Sequence, residues 1–190
     1  MRIRQAAFAG RQRMLKGGLH CHTTRSDGTA APEEIMDLYA ENRYDFLALT
    51  DQRFYNRKNY VPEGRITILP GMEFDATFEG GWEKDDYGFR CFHTVSIGPD
   101  DGTNGIRQDQ RFASGEVTGQ EGYQSYLDWL HENNNLTIYC HPQWSGTPVR
   151  YFEKMNGNFA IEVWNSASAR EYGMDTNAAY WDELLEQGHR

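Results

Sequence analysis

The chain has 190 residues and a formal net charge of −9. This length suits one domain with a substantial core and is short for two, and the acidic balance disfavours binding of a nucleic acid polymer, which requires a basic face. Aromatic residues make up 14% of the chain and are spread along it, which is typical of a folded protein rather than a disordered one.

The cysteines and the apolar runs predict the compartment. Cys21, Cys91 and Cys140 form no CxxC pair and are odd in number, so a disulfide framework is not expected. No apolar run reaches the roughly 18 residues that a membrane span needs, and residues 1–16 lack the apolar centre of a signal peptide. We therefore expect a cytoplasmic protein with no membrane partner.

The chain begins with a basic segment. Residues 1–16 contain no acidic residue and carry the following basic ones: Arg2, Arg4, Arg11, Arg13 and Lys16. A solvated terminal helix is the simplest interpretation of such a charge run, and contact with an anionic partner is the alternative. We predict a basic N-terminal arm over residues 1–16 and a single domain over residues 17–190.

The segment 19–28, LHCHTTRSDG, contains two histidines spaced one residue apart. Side chains alternate in direction along an extended segment, so His20 and His22 project from one face and Cys21 from the other. Two imidazoles are thereby available to one metal ion. The turn signature Ser26–Asp27–Gly28 then adds a carboxylate beyond the strand end. An isolated HxH is also typical of a polar strand end with solvated histidines.

Short apolar runs, typical of buried strands, alternate with helical patterns along the rest of the chain. The predicted strands cover 46–50, 66–69, 90–97, 136–140 and 159–164, and the predicted helices begin at Pro32, at Gln120 and near Asp175 or Thr176. This alternation favours parallel strands joined by helices. Residues 75–92 predict a hairpin-like excursion, and residues 98–119 predict a long polar loop that is either disordered or a lid.

Polar side chains recur where these strands end. They are His20, His22, Asp27, Asp51, Glu73, His93 and His141. In a (β/α) barrel the carboxyl ends of the strands share one face and carry the chemistry, so these residues are expected to converge. Nitrogen and carboxylate donors without a thiolate pattern suit Zn, Mn or Fe rather than a closed structural zinc site.

Six motifs follow, in order, those of the PHP (polymerase and histidinol phosphatase) family: HCHTTRSDG, a helix opened by PEE, ALTD, GMEF, FHTV and CHP. The chain resembles this family over residues 17–165. The resemblance implies an α/β fold, a distorted (β/α)7 TIM-like barrel with two or three divalent metal ions at the strand ends. It also implies a metal-dependent phosphoesterase that hydrolyses a mono- or diester of a small phosphorylated substrate by a metal-bridged hydroxide.

The resemblance implies a ligand for each metal. The implied metal ligands are His20, His22, Asp27, Glu73, His93 and His141. His20 and His22 would bind the first metal. Glu73 would bridge it to a second metal, held by His93 and His141. Asp27 would belong to a third metal.

The residues that we expect to support catalysis are Glu73, Asp51, Arg25 and Arg53. Asp51 would orient a ligand histidine. Arg25 and Arg53, next to the motifs, would neutralise the phosphoryl oxygens or else have ordinary surface roles. Trp144 would line the substrate pocket or pack elsewhere.

Two departures from the family pattern leave alternatives open. Gln52, a poor metal ligand, stands where the family has histidine after the aspartate, which bears on the third metal. The family's final motif, an aspartate and a histidine spaced one apart, does not occur before Arg190, so we expect a barrel that is incomplete at the C-terminus, in a truncated form of a longer protein. The alternative functions are a non-catalytic metal-binding or regulatory module and an amidohydrolase-like hydrolase of a non-phosphate substrate.

Overall fold

The computed structural model describes residues 13–77, 91–112 and 119–189. Most of the predicted basic arm, residues 78–90 of the predicted excursion and residues 113–118 of the predicted loop lie outside these ranges. No helix within the described ranges is long and apolar enough to cross a membrane.

The described residues form strands and helices in alternation. The strands are β1 (Gly17–Gly18), β2 (Phe46–Ala48), β3 (Thr67–Leu69), β4 (Gly71–Thr77), β5 (Cys91–Ile97), β6 (Leu136–Tyr139) and β7 (Asn158–Ile161). The helices are α1 (Pro32–Glu41), α2 (Gly119–Glu132), α3 (Ser166–Tyr172) and α4 (Asn177–Glu186).

The strands form two sheets, and Pro70 connects β3 of the first sheet to β4 of the second. One sheet has the order β1-β2-β3 and is parallel, and the other has the order β4-β5-β6-β7. The prediction of parallel strands throughout is wrong at β5, which runs antiparallel to both of its neighbours. Thr77 pairs directly with Cys91, so β4 and β5 are hydrogen-bonded neighbours in the second sheet.

The structure shows a mixed α/β fold, and its described strands do not close into a barrel. β1 is an outer strand of the first sheet and β7 is an outer strand of the second, and no hydrogen-bonded ladder joins the two within the described residues. Their ends nevertheless approach each other, since Glu162 after β7 lies 3.0 Å from His20 after β1. A parallel bridge between Gln52 and Glu73 links the two sheets at the same end.

The helices follow local sequence signals. α1 begins at Pro32, where a proline loses no hydrogen bond and the acidic Glu33 and Glu34 favour the positive end of the helix dipole. The predicted helix from Gln120 is confirmed as α2, and the final helix α4 follows Thr176 as predicted. α3 was not predicted.

Two apolar clusters hold the strands in place. In the larger one, α2 packs on the second sheet, with Phe74 stacked on Tyr126 and Phe92 stacked on Tyr123. The smaller one joins α1 to the first sheet through residues such as Met36. Each fully buried side chain of this size contributes roughly 1.5–3 kcal/mol, so the ends of β4, β5 and β6 are held by a well-packed core.

Candidate metal centre

A buried glutamate at the start of β4 lies at the centre of a histidine cluster. Glu73 is 1% exposed, and its Oε1 lies 2.8 Å from His93 Nδ1 and 2.9 Å from His141 Nε2. Its Oε2 lies 2.8 Å from His22 Nε2 and 3.5 Å from His20 Nε2. The structure therefore brings together five of the residues that the sequence singled out.

The extended segment after β1 aims two imidazoles at this carboxylate. The Nε2 atoms of His20 and His22 lie 3.2 Å apart, as expected for alternate residues on one face. Cys21, between them, is held on the end of β2: its backbone N–H donates to Thr50 Oγ1 at 2.9 Å, and Thr50 N donates back to its carbonyl at 2.7 Å. Strand-like bonding thus fixes the direction of both histidines.

The two aspartates that the sequence singled out form hydrogen bonds around the turn that follows His22. Asp27 Oδ1 lies 2.6 Å from His22 Nδ1, so this carboxylate contacts a histidine. The buried Asp51 accepts hydrogen bonds from the backbone N–H of Thr23 at 2.7 Å and from Ser26 Oγ at 2.9 Å. The contacts described for Asp51 are with donors of the turn, in Thr23 and Ser26, and none of them is with a histidine. Asp27 makes the contact that was expected of Asp51.

The two arginines expected to clamp a phosphoryl group are paired with carboxylates. Arg25 Nη2 lies 2.8 Å from Asp109 Oδ1, and Arg53 Nη2 lies 2.9 Å from Asp75 Oδ2. Neither arginine is among the described residues that line the cavity at the cluster. Gln52 does line the cavity, but its amide donates to Asp75 Oδ1 at 2.7 Å.

The cluster opens into a cavity of about 860 Å³. Trp144 lines the cavity, and the centroid of its ring lies 5.3 and 5.2 Å from those of His93 and His141, edge to face. Trp164, 58% exposed, also lines the cavity, close to the start of α3. The cavity is large enough for a small organic substrate.

Glu162 is a site residue that the sequence reasoning missed. Its Oε1 lies 3.0 Å from His20 Nδ1, and its Oε2 accepts the backbone N–H of His141 at 2.9 Å. The predicted strand ran to 164 and placed Glu162 inside it, whereas β7 ends at Ile161. A carboxylate directly after a strand was the available signal, and it is the same signal that identified Glu73 and Asp51.

The donor set fits a divalent metal ion. His20, Glu73 and His141 offer ligand atoms that all lie within 4.8 Å of one another, and so do His20, Cys140 and Glu162. His93 Nε2 is buried and has no hydrogen-bond partner within the described part of the chain. Buried polar atoms are rarely left without a partner, but the nitrogen that His93 directs at Glu73 is Nδ1, so the unpaired Nε2 is not one of the nitrogens that contact Glu73.

The carboxylates and imidazoles of the cluster shift one another's pKa values. Burial disfavours protonation of the histidines, but contact with carboxylates outweighs it, raising the pKa of His22 to about 9 and that of His93 to about 10 and holding the pKa of His20 well above its ordinary value. Burial lowers the pKa of His141. Although burial alone would raise the pKa of Glu73, the surrounding histidines hold it well below the ordinary value. The metal-free cluster therefore holds protons that ligation would displace.

The chain was compared with protein families, curated proteins and solved structures. No family model and no curated protein matches it. An amidohydrolase from Chromobacterium violaceum, solved with bound sulfate and no metal, is 18% identical with a TM-score of 0.54, over 88% of this chain and 83% of that one. A protein from Bifidobacterium adolescentis, provisionally named a metal-dependent phosphoesterase, is 14% identical with a TM-score of 0.52, over 90% of this chain and 85% of that one.

A third structure, a two-domain protein from Bacteroides vulgatus that contains a predicted PHP-like metal-dependent phosphoesterase, is 17% identical with a TM-score of 0.46, over 86% of this chain and 49% of that one. At these identities the comparisons concern the fold. The chain shares its fold with solved structures named as a metal-dependent phosphoesterase and an amidohydrolase, in agreement with the resemblance to the PHP family in its sequence.

Proposed function

We propose that this protein is a metal-dependent phosphoesterase that hydrolyses an ester of a small phosphorylated substrate. The observation that carries the proposal is a buried carboxylate, Glu73, surrounded by four imidazoles that line the same cavity of about 860 Å³: those of His20, His22, His93 and His141. The fold likeness to a protein named as a metal-dependent phosphoesterase supports it.

The arrangement of Glu73 favours two ions rather than three. Its Oε1 faces His93 and His141, and its Oε2 faces His20 and His22, so each carboxylate oxygen serves a separate pair of nitrogens. We propose that each pair would hold one divalent ion, with the Glu73 carboxylate between the two pairs. Nitrogen and oxygen donors suit Zn, Mn or Fe. A third ion is not part of the proposal, because Asp27 is engaged by His22.

Bound divalent ions supply Lewis acidity and lower the pKa of water at the site toward about 7. The protein orients the imidazoles for this purpose: Asp27 accepts from His22 Nδ1, which leaves His22 Nε2 directed at Glu73. Negative charge on a phosphoryl group would be met at the cluster rather than by Arg25 or Arg53, whose guanidinium groups pair with carboxylates. Trp144 packs edge to face on His93 and His141.

The test is hydrolysis of p-nitrophenyl phosphate and bis-p-nitrophenyl phosphate by the purified chain loaded with Zn²⁺ or Mn²⁺. We expect activity that a chelator removes and metal restores, and that Glu73→Gln and His141→Ala abolish. His189→Ala is the matched control, because His189 is exposed at the end of α4. Activity that persists after complete metal removal would contradict the mechanism.

A second candidate is hydrolysis of an amide by the same cluster, favoured by the fold likeness to an amidohydrolase at a TM-score of 0.54. A substrate panel with phosphate esters and amides separates the two. Turnover of amides alone would favour the amidohydrolase. Stoichiometric metal binding without turnover of either class would favour a non-catalytic module.

A further inference from the structure

Glu162 joins three segments around the histidine cluster. Its side chain is 14% exposed and follows β7 directly. Oε1 lies 3.0 Å from His20 Nδ1, while Oε2 accepts the backbone N–H of His141 at 2.9 Å and the side-chain amide of Asn165 at 3.2 Å. Both oxygens are therefore used, and the ends of β1 and β6 are tied to the end of β7.

These contacts determine which nitrogen of His20 carries the proton and which nitrogen is left to face Glu73. An ionised carboxylate only accepts hydrogen bonds, so His20 Nδ1 carries the proton that Glu162 receives. The remaining nitrogen of the ring, Nε2, faces Glu73 Oε2 at 3.5 Å. Glu162 and Glu73 thus contact opposite edges of one imidazole. A histidine that ligates a metal commonly donates its other N–H to a carboxylate, which fixes the tautomer and the ring orientation.

Glu162 differs from Asp27, which contacts His22 in a similar way. The Asp27 side chain is 68% exposed and touches one histidine, whereas Glu162 is largely buried and also holds the backbone of His141. His20 faces Glu73 Oε2 and His141 contacts Glu73 Oε1, so the two histidines belong to the two ion sites proposed above. Movement of Glu162 would therefore displace one donor of each site.

We propose that Glu162 is a positioning residue of the metal centre: it presents His20 Nε2 to Glu73 and anchors His141. The inference rests on the proposed function in one respect, namely that the cluster binds metal. The competing arrangement is a metal held by His20, Cys140 and Glu162 themselves, whose ligand atoms also lie within 4.8 Å of one another. Because Glu162 lies beside Nδ1 and Glu73 lies nearer to Nε2, we expect the two arrangements to use different nitrogens of His20.

The test measures Zn²⁺ affinity of the full chain by competition with a chromophoric chelator. We expect Glu162→Ala to weaken Zn²⁺ binding by about 10- to 100-fold. Glu162→Gln, which keeps the shape and can still accept from His20 Nδ1, should weaken it less. Glu171→Gln removes the same charge from an exposed position on the rim of the same cavity and should leave Zn²⁺ affinity nearly unchanged. Circular dichroism identifies any variant that fails to fold, in which case the Gln variant decides.

The ¹⁵N shifts of the imidazoles in the Zn²⁺-loaded protein provide a readout that a merely structural role would not move. We expect zinc on His20 Nε2 and a proton on Nδ1, with the Nδ1 proton signal altered in Glu162→Ala. Zinc on Nδ1, together with lost affinity in Cys140→Ser, would establish the competing site and overturn the proposal. Unchanged affinity in folded Glu162 variants, with ester hydrolysis by the wild type intact, would overturn this inference alone. Failure of the wild type to bind Zn²⁺ would overturn both proposals.

Discussion

Metal binding to the cluster is expected to release protons and to strengthen as pH rises. Contact with Asp27 and Glu73 outweighs burial and raises the pKa of His22 to about 9, and Glu73 similarly raises that of His93 to about 10, so both imidazoles are protonated at pH 7 in the metal-free protein. A ligating imidazole must be neutral. Binding of ions at both pairs should therefore release about two protons or more per chain at neutral pH.

The size of the effect follows from the difference between pKa and pH. A ligand nitrogen with a pKa about 2 units above the solution pH costs roughly 100-fold in apparent affinity, since each pKa unit corresponds to about 1.4 kcal/mol. The pKa of His22 is about 9, so at pH 7 competition by the proton should weaken apparent metal affinity by roughly 100-fold. Apparent Zn²⁺ affinity should therefore rise steeply between pH 6 and pH 9.

Isothermal titration calorimetry in buffers of different ionisation enthalpy measures the protons released directly. Asp27→Asn is the matched variant: it removes the carboxylate that helps to raise the pKa of His22, so it should release fewer protons at pH 7. An affinity for Zn²⁺ that is flat from pH 6 to pH 9, with no proton release, would refute the reasoning.

Three further predictions concern stability. With chelator present, the pKa values of His22 and His93 are raised to about 9 and about 10, so the stability that their charges contribute is fully present below the unfolded pKa of about 6.5 and is lost as pH rises through 9 and 10. The pKa of Glu73 is lowered, so the stability that its charge contributes is present above the unfolded pKa and is lost as pH falls. The melting temperature should therefore pass through a maximum between these limits, and a steady rise to pH 10 would contradict this. Leu127→Ala, which empties a fully buried position of α2, should lower the free energy of unfolding by about 2–5 kcal/mol in urea titrations. Asp51→Ala leaves buried turn donors unpaired and should cost about 1–3 kcal/mol or more for each lost partner in the same assay, and a loss below the error would contradict its role in the turn.

The ligand residues could be predicted because they depend on local rules. The alternation of an extended segment places His20 and His22 on one face, and short apolar runs mark the strands beside which Glu73, His93 and His141 lie. For His20, His22 and His141, which follow β1 and β6, these positions need only the period of a strand and the rule that strand ends converge. Glu73 and His93 lie inside β4 and β5, so their convergence required the tertiary structure. The ordered motifs of the PHP family added the expected α/β barrel; the structure shows a mixed α/β fold whose described strands do not close into a barrel.

The direction of β5 and the partners of the long side chains required the tertiary structure. The pattern of apolar residues in Cys91–Ile97 is the same for a parallel and an antiparallel strand, so the sequence left its direction open. Arg25 and Arg53 have flexible side chains, and the nearest carboxylates, Asp109 and Asp75, are brought to them by folding.

The sequence by itself determined the chemistry of the donors and the face from which His20 and His22 project. The tertiary structure decided how they are held. Glu162 meets His20 across 142 positions of the chain, a contact that exists only because β1 and β7 end at the same place. Local patterns report which side of a strand a residue occupies, whereas such a contact depends on the order and direction of all the strands between.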